Sequence, residues 1–145
     1  MPATRKLPVI GICASGSNAG KTTLIRQLIS ELRGRGIRVS VIKHAHHQFD
    51  IDHPGKDSYE IREAGAVQTL IASGKRWALI TEMQRTPNPP PEADLDAMIA
   101  QINPDYADLI VVEGFKNAKI PKIEVHRPSL NMALASEVDS HFIAI

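Results

Sequence analysis

One junction constrains this chain more than any other. Residues Pro8 to Ala14, PVIGICA, form a short apolar run rich in β-branched side chains. Ser15, Gly16, Ser17, Asn18, Ala19 and Gly20 follow, all small, and from Lys21 the period changes. Leu24, Ile25, Leu28, Ile29 and Leu32 then recur at helical spacing, up to Gly34 and Gly36. A short apolar run bounded by turn formers reads as a buried strand, and the stripe reads as an amphipathic helix stopped by glycine. A strand, a small-residue loop and Gly20-Lys21-Thr22-Thr23 opening a helix is the arrangement of a phosphate-binding loop. Successive backbone N–H groups in such a loop form an anion-binding concavity. The helix N-terminus adds about half a positive charge and Lys21 a whole one. Residues Ser15 to Thr23 are therefore expected to hold nucleotide phosphates, with the Thr22 hydroxyl on Mg²⁺. The common spacing G-x-x-x-x-G-K-[ST] asks for glycine where this chain has Ser15. A serine fits there if its φ stays negative. The competing reading is that Gly-Lys-Thr-Thr merely opens a structural helix.

The rest of the chain alternates strands with helices. Ile37 to Lys43 reads as a second strand, which makes a βαβ unit with a right-handed crossover. Lys56 to Gly65 can form a short helix. Gln68 to Ala72 and Trp77 to Met83 read as strands joined by Ser73-Gly74-Lys75. Thr86-Pro-Asn-Pro-Pro-Pro91 cannot continue either element and is expected to be a surface loop rather than a domain boundary. Glu92 to Ile102 reads as a helix, Asp108 to Val112 as a buried strand, and Lys122 to His126 and His141 to Ile145 as later strands. This alternation predicts a three-layer α/β domain of the P-loop NTPase kind with a mostly parallel sheet. A length of 145 residues suits one such domain, running over residues 1–145.

Two further constellations bear on chemistry. Asp108-Leu-Ile-Val-Val-Glu113-Gly114 is a buried strand ending in an acid, and ligands gather at the carboxyl ends of parallel strands. Glu113 would face the Mg²⁺, directly or through water; the other reading is a solvated strand-end acid. The loop from Lys43 to His53 holds four of the six histidines, together with Asp50 and Asp52. Either aspartate could stand near the metal and the γ-phosphate. A metal site built on the histidines and a plain polar loop are the alternatives. Cys13 reads as a buried small hydrophobe, Trp77 as a core or interface residue, and Arg127, near the last but one strand, as a solvated arginine that could otherwise reach a ligand.

Charge and length exclude other classes. Lys+Arg 17 against Asp+Glu 16 gives a net charge of +1, which argues against nucleic acid as a partner. No apolar run approaches the roughly 18 residues of a membrane helix, so no membrane is expected. The N-terminal residues have no leader-like apolar stretch, and the single cysteine cannot form an internal disulfide. A cytoplasmic protein is expected.

Three stretches go beyond a generic phosphate loop: GICASGSNAGKTTLIRQLISELRGRGIRVSVIKHAHHQFDIDHPGKDSYEIREAGA, SGKRWALITE and DLIVVEGFKNAKIPKIEVHR. They resemble the molybdopterin-guanine dinucleotide biosynthesis adapter family, MobB, from about Leu7 to Ile145. The resemblance implies a P-loop GTPase-like fold, GTP with Mg²⁺, weak hydrolysis and a homodimer. It also implies a MobA-type guanylyltransferase as partner, which joins GMP to molybdopterin; contact with molybdopterin itself stays open. Carried onto this chain, it puts Lys21 on phosphate and Thr22 on Mg²⁺. Glu113 is then the second acid, and Asp50 or Asp52 the acid after the second strand. Family members usually continue past the last strand with a small-Ser-Asp stretch and a further helix; in related GTPases the loop at that point helps to read guanine, and no N-K-x-D motif stands elsewhere in this chain. The rivals are a small-molecule kinase or ligase of the same fold using ATP, with the His44–His47 cluster as its candidate base, and a metal-binding module built on the histidine loop.

Overall fold

The computed structural model describes residues 5–145. In chain order the elements are β1 (Val9–Cys13), α1 (Lys21–Gly34), β2 (Val39–Lys43), α2 (Asp57–Glu63), β3 (Gln68–Ala72), β4 (Trp77–Thr81), α3 (Leu95–Ile99), β5 (Leu109–Glu113), β6 (Lys122–Glu124) and β7 (Phe142–Ala144). Short 3-10 turns occur at Met83–Arg85, Pro128–Leu130 and Ala135–Glu137. The chain divides into two compact units. One comprises the residues up to Ala45 together with Asp94–Ile145, and the other is His46–Ala93. Among the described residues no helix is long and apolar enough to cross a membrane.

The first unit is built on a five-stranded sheet of order β2-β5-β1-β6-β7, with every neighbouring pair parallel. Alternation along β5 explains its two covered faces. Leu109 and Val111 belong to a cluster with Ile12 and Ile25, packed by Leu24, Leu28 and Ile29 of α1. Ile110 and Val112 belong to a second cluster with Leu7 and Ile42, packed by Leu95, Met98 and Ile99 at α3. Successive strand side chains point to opposite faces, so a strand apolar at every position must be covered on both. Helix, sheet and helix make the expected three-layer α/β fold of the P-loop NTPase kind. Gly11, mid-β1, is a close-approach site: a Cβ there would stand 2.8 Å from Cγ of the fully buried Lys122.

The central strands end together. Ile12 pairs with Glu113 and Cys13 with Glu124, so the carboxyl ends of β5, β1 and β6 form one edge. Glu113 shares the parity of Leu109 and Val111 and therefore lies on the α1 face.

The second unit holds α2, which packs against β3 of the β3–β4 hairpin. That hairpin is antiparallel and forms its own two-stranded sheet. Residues 86–91 carry neither helix nor strand. Two helices are shorter than the spacing predicts. For α3 the cause is local: the Asp94 carboxylate accepts the Ala97 N–H at 2.8 Å and caps the helix there, leaving Glu92 and Ala93 outside.

Candidate functional site

The loop between β1 and α1 turns on two left-handed residues, Asn18 at φ 62° and Gly20 at φ 104°. Gly20 stands just before the 14-residue α1 and makes no side-chain cap, and its carbonyl accepts the first helical bond from Leu24 N–H at 3.0 Å. The first N–H groups of a helix have no partner within it, and here no side chain caps them. Residues 18–23 and Arg127 line a concavity of about 360 Å³ over this turn. Lys21 is half-buried, and Thr22 and Thr23 are exposed.

Ser15 has the negative φ that its place in the loop requires. Its Oγ lies 2.6 Å from the Ala133 carbonyl oxygen and 3.1 Å from a Glu124 carboxylate oxygen, and its one proton serves either. Glu124 is 1% exposed. It also accepts the backbone N–H groups of Ala135 at 2.8 Å and Ser136 at 2.9 Å. Burial pushes the Glu124 carboxyl up, but the bonds from Ala135, Ser136 and Ser15 outweigh it and hold its pKa below the ordinary value. The serine that breaks the common motif is thus an anchor, tying the start of the loop to β6 and to residues 133–136.

Glu113 is half-buried at the end of β5. Next to it the chain is tight. His44 N–H donates to the Glu113 carbonyl at 2.9 Å, Gly114 N–H donates to the Ile12 carbonyl at 3.2 Å, and the Cys13 thiol donates to the Gly114 carbonyl at 3.4 Å. Burial pushes the Cys13 thiol up, as suits a packing residue. The His44 ring stacks on Phe115 at 4.4 Å between centroids. Among the described residues no group of three or more His, Cys, Asp or Glu side chains converges to hold a metal ion. The histidine loop therefore does not assemble a metal cage. A Mg²⁺ site needs none, since the ion keeps several waters and takes one or two protein ligands beside phosphates. The exposed Thr22 hydroxyl and the Glu113 carboxylate on the α1 face suit such a site.

Asp50 and Asp52 belong to the second unit, where both serve Arg62. The Arg62 guanidinium, 7% exposed, donates from one nitrogen to Asp50 and to Asp52, each at 2.8 Å. From another it donates to Glu82 at 2.9 Å and to Glu63 at 3.3 Å. The hydrogen bond from Arg62 is the main cause that holds the Asp52 carboxyl below its usual range, and Asp52 and Glu82 in turn push Arg62 up. The sequence reading puts Asp50 or Asp52 near a metal; the partner seen for both is Arg62, a buried cation ten residues past Asp52.

One residue escaped the sequence reading of the site and another was only weighed in it. Arg127 reads as a solvated arginine that could otherwise reach a ligand; it is exposed, and it lines the loop concavity. Glu124 was passed over inside a strand. The alternation Lys122-Ile123-Glu124-Val125 sets Glu124 on the polar face of its strand, so the sequence carries no signal of its burial.

An all-parallel sheet with a Gly-Lys-Thr loop at its carboxyl edge defines a protein of the P-loop NTPase class. The family model described as "Molybdopterin guanine dinucleotide synthesis protein B" matches residues 9–145. The molybdopterin-guanine dinucleotide biosynthesis adapter protein of Haemophilus influenzae is 44% identical over 140 residues, covering 97% of this chain and 74% of that protein. The Escherichia coli protein of the same description is 44% identical over 151 residues, covering 100% of this chain and 81% of that one. The crystal structure of Bacillus subtilis MobB superposes with a TM-score of 0.66 at 24% identity, covering 89% of this chain and 76% of that one, and supports the fold. The chain belongs to the MobB family.

Proposed function

We propose that this chain is an adapter of molybdopterin guanine dinucleotide biosynthesis that works by binding GTP with Mg²⁺ at residues 15–23. Family membership and the two relatives described as adapter proteins support the pathway. The observation that carries nucleotide binding is the uncapped N-terminus of α1, opening with Lys21 onto a concavity of about 360 Å³. Backbone N–H groups of the loop bind phosphate oxygens, and Lys21 neutralises them. The Thr22 hydroxyl and the Glu113 carboxylate would hold Mg²⁺, which supplies charge neutralisation to the phosphates. Turning Asp50 or Asp52 to the metal would strip a partner from the buried Arg62, which is costly. We therefore assign the metal to Thr22 and Glu113 alone.

Hydrolysis is slow on this reading, because the sequence offers no evident water-orienting glutamine, and such groups count for orders of magnitude. The function is then exerted through partners. A MobA-type guanylyltransferase is the proposed one, with molybdopterin reaching this chain through it. A second copy of the chain is proposed to cover the hairpin, where Leu70 is 60%, Ile71 40%, Trp77 64% and Leu79 44% exposed.

The test is calorimetric titration of non-hydrolysable GTP and ATP analogues, each with Mg²⁺, into wild-type protein and Lys21→Ala. GTP binding at least about tenfold tighter than ATP, lost in the variant, is the expected result. Equal binding of both analogues would shift the reading towards a kinase or ligase of the same fold. Binding of neither would overturn the nucleotide reading.

A further inference from the structure

Arg127 is not part of the phosphate-loop motif. It stands three residues past Glu124, the last residue of β6. β6 flanks β1 on one side, and β5, which carries Glu113, flanks it on the other. The loop after β6 therefore approaches the phosphate loop from the side opposite Glu113. One guanidinium nitrogen of Arg127 lies 3.9 Å from where a Cβ on Gly20 would stand, the residue just before Lys21.

Its backbone is held at that place. Val125 N–H donates to the Cys13 carbonyl at 2.7 Å, extending the β6–β1 pairing to the foot of the phosphate loop. Leu130 N–H donates to the Arg127 carbonyl at 3.0 Å, and Pro128 opens the turn that follows. Glu124, bonded to Ser15, ties the same strand to the loop's first residue.

The charge balance points to the ligand. The residues lining the concavity include two cations, Lys21 and Arg127, and no acid. Among the described residues no ion pair engages the Arg127 guanidinium. Two like charges facing one concavity repel each other, and an anion with several charges relieves both. A guanidinium presents a planar fork that grips phosphate oxygens in pairs, which an ammonium cannot do.

We propose that Arg127 is a second phosphate-binding cation of this site, gripping the polyphosphate chain from the side opposite Glu113 and acting independently of the base. The proposal rests on the nucleotide reading above. The experiment titrates the GTP analogue and inorganic tripolyphosphate, each with Mg²⁺, into wild type, Arg127→Ala, Arg127→Gln and Arg127→Lys. Removing a charge-assisted pair of bonds is expected to weaken both ligands by the same factor, about 10- to 100-fold, in the Ala and Gln variants. Arg127→Lys recovers only part of the loss, because charge returns without the fork. Circular dichroism of each variant checks folding; the side chain is exposed, and Gln keeps most of its length should Ala fail to fold. Wild-type affinity in the Ala or Gln variant overturns the proposal while leaving the nucleotide reading intact. A loss confined to the GTP analogue overturns it too, since it would place Arg127 on ribose or base. Absence of wild-type binding overturns the nucleotide reading and this proposal together.

Discussion

Gly114→Ala tests whether the junction beside Glu113 is as tight as its geometry says. Gly114 has φ +89°, a left-handed value that a Cβ disfavours by about 1–2 kcal/mol. A Cβ there would stand 2.9 Å from the His44 Cβ, inside any relaxed contact. His44 cannot easily retreat: its N–H is bonded to the Glu113 carbonyl at 2.9 Å and its ring lies on Phe115. Overpacking of this kind costs about 1–3 kcal/mol. Together the two effects predict a loss of about 2–5 kcal/mol, a large share of the roughly 5–15 kcal/mol typical of a domain. At about 2–4 °C per kcal/mol for a chain of this size, the melting temperature should fall by about 4–20 °C. The assay is urea or thermal unfolding followed by far-ultraviolet circular dichroism. Fluorescence of Trp77 is the wrong probe, because that side chain is 64% exposed and sits in the other unit. His44→Gly in the Gly114→Ala background removes the clashing Cβ and leaves the φ. The cycle should therefore return the overlap part only. A loss below about 1 kcal/mol, or a cycle with no coupling, would refute the reasoning.

Two other perturbations follow from the charged groups. Hydrogen bonds from the Arg38 guanidinium and its backbone N–H, then from Arg5, hold the Asp108 carboxyl well below the usual carboxylate range. A carboxyl whose folded pKa is depressed stabilises the fold above its unfolded pKa, about 3.9, and loses that contribution as pH falls through the folded value. Asp108→Asn should thus be less stable than wild type at pH 7, with the gap closing below about pH 4; a gap constant from pH 7 to pH 2 in thermal melts would contradict this. Glu124→Gln sets an amide NH₂ against a backbone N–H whichever way it is turned, since one carboxylate oxygen accepts from Ala135 and the other from Ser136. It should cost about 1–3 kcal/mol in urea unfolding and weaken binding of the GTP analogue as residues 133–136, which hold Ser15 through the Ala133 carbonyl, lose their tie to β6. Unchanged affinity would show that the anchor does not shape the loop.

Much of the fold was legible because local signals agreed. From Val9 to Gly34 the apolar run, the small-residue loop and the helical stripe each point to one answer, and β1 and α1 form there. The continuous run Leu109–Glu113 likewise announced a strand covered on both faces. Where the reading fell short, partners distant in sequence decided. Period two predicts β3 and β4 but cannot say which sheet they join, and they pair only with each other. Asp50 and Asp52 look like metal ligands beside four histidines until Arg62 takes both. The MobB resemblance carried the family and not these local outcomes.

The candidate site shows the same division in sharper form. The part proposed to bind phosphate, residues 15–23, is contiguous and so can be read as a motif. Its flanks come from β5 and β6, about a hundred residues later, and stand beside the loop because the sheet order puts β1 between those strands. Sequence alone leaves Arg127 between a solvated arginine and one that reaches a ligand; the structure has it exposed and lining the loop concavity. Serine in place of glycine at residue 15 follows the same logic. It looks like a lapse in the motif until β6 supplies Glu124 and residues 133–136 supply a carbonyl. The side chain that departs from the motif and the arginine outside it are thus positioned by one strand. A change in β6 should therefore alter both the shape of the loop and its charge.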